Sequence, residues 1–104
     1  MITPEKIRLN LAARKESDVQ CAAQLILFEI EKELMRGERR IALTKLVAGT
    51  YALYNIFWDN IDSIVKIVIE DSLNSGWNVE VIRYTRGFWL FKRYQIILVF
   101  TERA

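Results

Sequence analysis

The apolar residues of this chain change their spacing at Gly76, and that change restricts it to a mixed helix-and-sheet architecture. Upstream they recur mostly at steps of three and four, the period of a helix with one buried face. Downstream they alternate, as in a strand with one buried face. Val19, Ala23, Ile26, Ile30 and Leu34 share a helical face. Ser17-Asp18-Val19-Gln20 has capping-box spacing, and Gly37 supplies a residue that tolerates the left-handed conformation ending a helix. The spacing predicts a helix over 18–36. Asp59 or Asn60 can cap a further helix through Ile61, Ile64, Val65, Val68 and Leu73, ending at Asn74-Ser75-Gly76. After it, Trp77, Val79 and Val81 alternate with Asn78 and Glu80, and Tyr94 to Thr101 is rich in strand-forming residues. Between them Thr85-Arg86-Gly87 reads as a turn.

Thr3-Pro4-Glu5 reads as a helix start, with Thr3 as cap and Pro4 at the first helical position, giving a short helix over 4–14. The 18–36 helix carries a second apolar line, Cys21, Leu25 and Phe28, away from the first. Two stripes imply a helix between two layers or shared with another subunit, and packing against the N-terminal helix is the first expectation. Arg39 to Leu43 reads as a short strand. Leu43, Val47, Tyr51, Tyr54 and Trp58 fit helical spacing, broken at Gly49-Thr50. The fold expected is α+β, with helices packed on one face of a small antiparallel sheet ending in a long C-terminal β-hairpin. At 104 residues, one domain over 1–104 can bury roughly 60–70% of the surface its unfolded chain exposes, without disulfide or metal staples.

Register decides which hairpin side chains share a face. A two-residue Arg86-Gly87 loop would place Thr85 opposite Phe88, Tyr84 opposite Trp89, Ile82 opposite Phe91 and Glu80 opposite Arg93. On the other face it would pair Val81 with Lys92, Val79 with Tyr94 and Trp77 with Ile96. Aromatics then meet aromatics, and the acid meets a base. Such matched pairs contribute about 0.2–1 kcal/mol each. In that register Trp77, Val79, Tyr94, Ile96, Leu98 and Phe100 face the helices. Ile82, Tyr84, Trp89 and Phe91 gather on the outer side near the tip, joined by Ile97 and Val99 and ringed by Arg83, Arg86 and Arg93.

Charge points to the same region. The net charge is +2, but residues 1–76 carry 10 basic and 11 acidic side chains, whereas 77–104 carry five basic and two acidic. The single Cys21 forbids an intrachain disulfide and suits a reducing compartment, and no signal peptide is expected. The longest uncharged stretch, Leu46 to Trp58, falls well short of the roughly 20 apolar residues a bilayer span needs.

The catalytic inventory is thin. The chain has no histidine, hence no ordinary general base near neutral pH and no imidazole metal ligand. There is no CxxC, GxGxxG or Walker-type loop. Cys21 reads as a small core residue. Glu29 and Glu33 lie beside Lys32 and Arg36 as a solvated charged face, and Asp59, Asp62, Glu70 and Asp71 read as helix-end and surface charge. Neither enzyme, cofactor nor metal site is expected.

One stretch remains. Arg83 to Tyr94 holds four bases, five aromatics and no acid. Arginine and aromatics dominate protein hot spots, and bases interleaved with rings also suit single-stranded nucleic acid. The expectation is a non-enzymatic binding protein that uses Ile82, Arg83, Tyr84, Arg86, Trp89, Phe91 and Arg93 to contact a protein partner or a second copy of itself. Single-stranded nucleic acid is the alternative, and no membrane contact is expected.

A long charged helix, then Gly37-Glu38-Arg39-Arg40-Ile41-Ala42-Leu43, then a helix ending at Gly76-Trp77-Asn78-Val79-Glu80-Val81 before a final strand, resembles small uncharacterised α+β proteins encoded by bacteriophages. The resemblance spans most of the chain. It implies a cytoplasmic accessory protein that binds a host or viral partner, often as a small oligomer, and it assigns no residue a role.

Overall fold

The computed structural model describes residues 1–49, 51–87 and 93–103. Its elements run α1 (Pro4–Met35), β1 (Arg40–Ala42), α2 (Leu43–Ala48), α3 (Tyr51–Asp59), α4 (Ile61–Asn74), β2 (Trp77–Arg86) and β3 (Arg93–Glu102). The strands form one antiparallel sheet in the order β1-β3-β2, with the helices packed against it, so the α+β expectation holds.

The N-terminal third differs from expectation. Instead of two helices there is one α1 of 32 residues, and Ser17 caps nothing because it lies inside it. Nothing between Pro4 and Gly37 is Gly or Pro, and Ala12-Ala13-Arg14-Lys15-Glu16 is a run of strong helix formers. A serine cap contributes about 1 kcal/mol, too little to repay a break in a continuous hydrogen-bond ladder. The ends behave as read. Thr3 Oγ1 accepts from the Lys6 amide at 3.2 Å. At the other end, Glu38 N–H donates to Glu33 O and Gly37 N–H to Leu34 O, both at 3.0 Å, around Gly37 at φ 91°. That is a complete Schellman stop.

Merging the helices removes the expected cover for Cys21, Leu25 and Phe28. No separate N-terminal helix exists to pack on them, and all three are exposed, Cys21 included, contrary to its reading as a core residue. Residues 1–18 are exposed throughout. Burial on α1 begins at Val19 and continues through Ala22, Ala23, Ile26, Leu27 and Ile30. The first half of α1 is thus an arm extending beyond the core. The radius of gyration is 16.0 Å, where a compact chain of this length would have about 13 Å.

The helical spacing read through 43–58 resolves into α2 and α3, with Gly49 as C-cap of the first. α4 follows the expected period and stops at Gly76, φ 97°. Asn60 precedes it without capping it, because its amide donates to Ile56 O at 3.1 Å instead. Ile26, Ile30, Leu43, Phe57, Ile64, Val68, Ile96, Leu98 and Phe100 make up much of the core between helices and sheet.

The hairpin register is also corrected. Arg86 lies opposite Arg93, Tyr84 opposite Gln95, Ile82 opposite Ile97, Glu80 opposite Val99 and Val79 opposite Phe100. The pairs Glu80–Arg93, Val79–Tyr94 and Trp77–Ile96 do not form. Tyr84, Ile82 and Val81 have Gln95, Ile97 and Leu98 as partners in place of Trp89, Phe91 and Lys92. Long-range packing chose the register. The slide brings Phe100, Leu98 and Ile96 over the helices as partners of Val79, Val81 and Arg83, and burying three large side chains outweighs several cross-strand preferences. Because the slide is an even number of residues, the division into faces survives. Ile96, Leu98 and Phe100 are buried toward the helices with Val79 and Trp77 half-buried, while Ile82, Tyr84, Ile97 and Val99 share the outer side.

Candidate functional site

Strand lengths set the geometry of the hairpin end. β1 has three residues and β3 ten, and β1 pairs only with Val99, Leu98 and Ile97. The chain then turns into α2 at Leu43, so among the described residues no strand lies beside β3 from Ile96 to Arg93 on the β1 side. Backbone groups of successive strand residues point to alternate sides. Phe100 donates to Arg39 O on the β1 side at 2.8 Å. Tyr94, an even number of residues away, therefore directs its own N–H and C=O to the same side, where no described strand lies beside it.

Side chains from three elements line a cleft of about 710 Å³ at this edge, beside Ala42 of β1. α2 contributes Thr44, Lys45 and Ala48, α3 contributes Tyr54 and Trp58, and β3 contributes Tyr94 and Gln95. Thr44 Oγ1 donates to Gln95 Oε1 at 2.7 Å, fixing the start of α2 to the strand. Trp58 packs edge-on to Tyr54 with ring centroids 6.2 Å apart, and lies 6.0 Å from Tyr94. Phe57 beneath, fully buried, meets Trp58 at 5.4 Å and anchors it. Tyr54 and Tyr94 are exposed and Trp58 half-buried, so the ring cluster opens to solvent.

Comparison with protein-family models, curated proteins and solved structures finds no match for this chain. Function must therefore be read from the residues.

Of the predicted contact residues, Ile82, Arg83 and Tyr84 do not share one face. Tyr84 is exposed and Ile82 half-buried on the outer side of the sheet. Arg83 belongs to the opposite face and donates to Asp62 of α4 at 3.0 Å, so it does not ring the outer patch. That bond raises its guanidinium above the usual arginine value, with Tyr94 as a second contributor. Arg86 and Arg93 close the paired region opposite one another. Trp89 and Phe91 lie outside the described residues. The sequence reading missed Thr44, Tyr54, Trp58 and Gln95. Tyr54 and Trp58, four apart in a helix, carry the same signature as core residues, and only the shortness of β1 hinted at an open edge.

Among the described residues there is no group of three or more Cys, Asp or Glu placed to hold a metal, and no buried side-chain polar atom lacks a hydrogen bond. No described helix is long and apolar enough to cross a membrane.

Proposed function

We propose that this chain is a non-catalytic binding protein that captures an extended segment of a partner protein at the free edge of β3. The observation that carries this reading is the juxtaposition of a β3 edge that no described strand pairs beyond Ile97 and an exposed ring cluster. An added strand continuing the line of β1 would take its affinity from backbone hydrogen bonds to Tyr94. Its specificity would come from alternate side chains, one set toward Trp58, Tyr54 and Tyr94, the other toward Gln95 and Tyr84. Exposed edges are normally blunted by charge, proline or a covering element; here the cleft offers contact surface instead. Arg83 is engaged by Asp62, which leaves fewer free cations to track a nucleic-acid backbone.

The test is selection of peptides on the immobilised protein, followed by titration of the enriched sequences. Binding should fall at least tenfold when alternate peptide nitrogens are methylated, and also in Trp58→Ala. Peptides that tolerate N-methylation and bind Trp58→Ala unchanged would overturn strand addition. Tight binding of a single-stranded oligonucleotide that weakens steeply with salt, with no peptide enriched, would replace it with nucleic-acid binding.

A further inference from the structure

The exposed side of α1 carries a heptad order of its own, separate from the buried face. Ile7, Leu11, Arg14, Asp18, Cys21, Leu25 and Phe28 follow one another at alternating steps of four and three, and every one of them is exposed. Alternating steps of three and four are the spacing of the seam in a two-stranded coiled coil, here apolar toward its ends and charged at its centre. The seam lies around the helix from Ala22, Ala23, Ile26 and Ile30, which meet the core of the same chain, so occupying it displaces nothing. A solitary helical arm of about fifteen residues is marginal in water. The arm of α1 carries Ile7, Leu9 and Leu11 exposed to solvent.

The order of residues along the seam says what covers it. It is symmetric about Glu16. If a second α1 lies antiparallel with its own Glu16 alongside, Arg14 meets Asp18, Leu11 meets Cys21 and Ile7 meets Leu25, each twice by the two-fold axis. At both ends Pro4 meets Phe28, whose ring already carries the Lys32 ammonium 4.6 Å from its centre. In every layer an a position meets a d position, as antiparallel helices require, and base meets acid in the central layers. The three ion pairs among the described residues, Lys32–Glu29, Arg36–Glu33 and Arg83–Asp62, do not include Arg14 or Asp18. A parallel pair would instead set Arg14 against Arg14 and Asp18 against Asp18. Lys15 comes nearest its own symmetry mate and has the length to turn its ammonium to solvent.

We infer that this chain forms an antiparallel homodimer through the exposed seam of α1, with Arg14 of each copy paired to Asp18 of the other. The closed two-fold uses one self-complementary patch. It leaves the β3 edge free, so it neither needs nor tests peptide capture there.

Sedimentation equilibrium of the full chain, with two variants at exposed positions, tests this. The wild type should dimerise at micromolar concentration. Arg14→Glu and Asp18→Lys should each weaken association at least tenfold by setting like charges opposite. An equimolar mixture of the two variants should regain it, because the heterodimer restores the attraction of base for acid across the central layers. Orientation is read by oxidation. Leu11→Cys should give a covalent dimer, the introduced thiol of each copy bonding Cys21 of the other. The wild type should give none, because two copies of Cys21 would lie about 15 Å apart along the axis at 1.5 Å per residue. A wild type monomeric at about 100 μM, well above the micromolar range of specific association, would overturn the proposal. So would no recovery on mixing, or a wild-type disulfide dimer through Cys21. A cooperative urea unfolding transition retained by each variant establishes that loss of the domain fold is not what is being read.

Discussion

Thr44, in the first turn of α2, donates to the side chain of Gln95 in β3 at 2.7 Å, spanning 51 positions of sequence. Both residues are half-buried, so the bond both locates α2 against the strand and forms one wall of the cleft. Removing one partner strands the other's polar group, whereas removing both does not. Thr44→Val should cost about 1 kcal/mol and Gln95→Leu a similar amount. The double variant should cost less than the two together. Urea denaturation of the four proteins measures the coupling, and strict additivity would mean the contact does not hold α2 in place.

Neighbouring residues on α1 should answer to different assays. Ile26 is 1% exposed in the core and Leu25 53% exposed on the seam. Ile26→Ala should lower unfolding free energy by about 2–5 kcal/mol, through lost burial and the cavity left behind. Leu25→Ala, measured at concentrations where the chain is monomeric, should change it by no more than about 0.5 kcal/mol. Its effect should appear as weaker association in sedimentation. If Leu25→Ala destabilised the monomer as much as Ile26→Ala, the α1 orientation given above would be wrong.

The contrast shows what the sequence could and could not disclose. Gly37 and Gly76 marked helix ends correctly, because a positive φ is a local demand that few residues meet. The periods of α4 and of the strands were equally readable, since one buried face leaves its imprint on every second or fourth residue. Ser17 misled because a capping signal is also local and yields to helix continuity around it. The hairpin register misled for the opposite reason. Its cross-strand pairs are local, but Ile96, Leu98 and Phe100 were placed by a core assembled from α1, α2, α3 and α4. The aromatic cleft was invisible, since its rings come from α3 and β3 and its open edge depends on where β1 stops.

The Arg83–Asp62 pair should be indifferent to ordinary pH. Its hydrogen bond to Asp62, with a smaller contribution from Tyr94, raises the guanidinium. A base raised in the folded state stabilises fully below its unfolded value, and that contribution is lost only as pH climbs past the folded one. For arginine that window is strongly alkaline, so stability from this pair should be flat between about pH 6 and 9. Salt is the effective variable. Both side chains are substantially exposed, so Arg83→Gln should cost about 0.2–1 kcal/mol at low ionic strength. Most of that difference should vanish near 1 M salt, where the screening length is about 3 Å. Thermal melts at two salt concentrations check both points, and a loss that persists in high salt would show that Arg83 contributes by packing.

Trp58 is the residue whose removal best separates the two surfaces. Its indole meets Phe57 below, Tyr54 along α3 and Tyr94 across on β3. It therefore joins the buried core to the exposed part of the cleft. Each aromatic pairing contributes about 0.5–1.5 kcal/mol beyond the area it buries. Trp58→Ala should thus lower stability by about 2 kcal/mol, while Trp58→Phe, which keeps a ring against Phe57, should recover much of it. Peptide capture at the β3 edge should follow the same order: lost in the alanine variant, partly kept in the phenylalanine variant. Dimerisation should be unmoved in both, since α1 presents its seam away from its own buried face. Calorimetric titration of a selected peptide alongside sedimentation of the same samples reads both at once. If Trp58→Phe bound peptide no better than Trp58→Ala at equal folded fraction, the ring cluster would be scaffolding rather than contact surface.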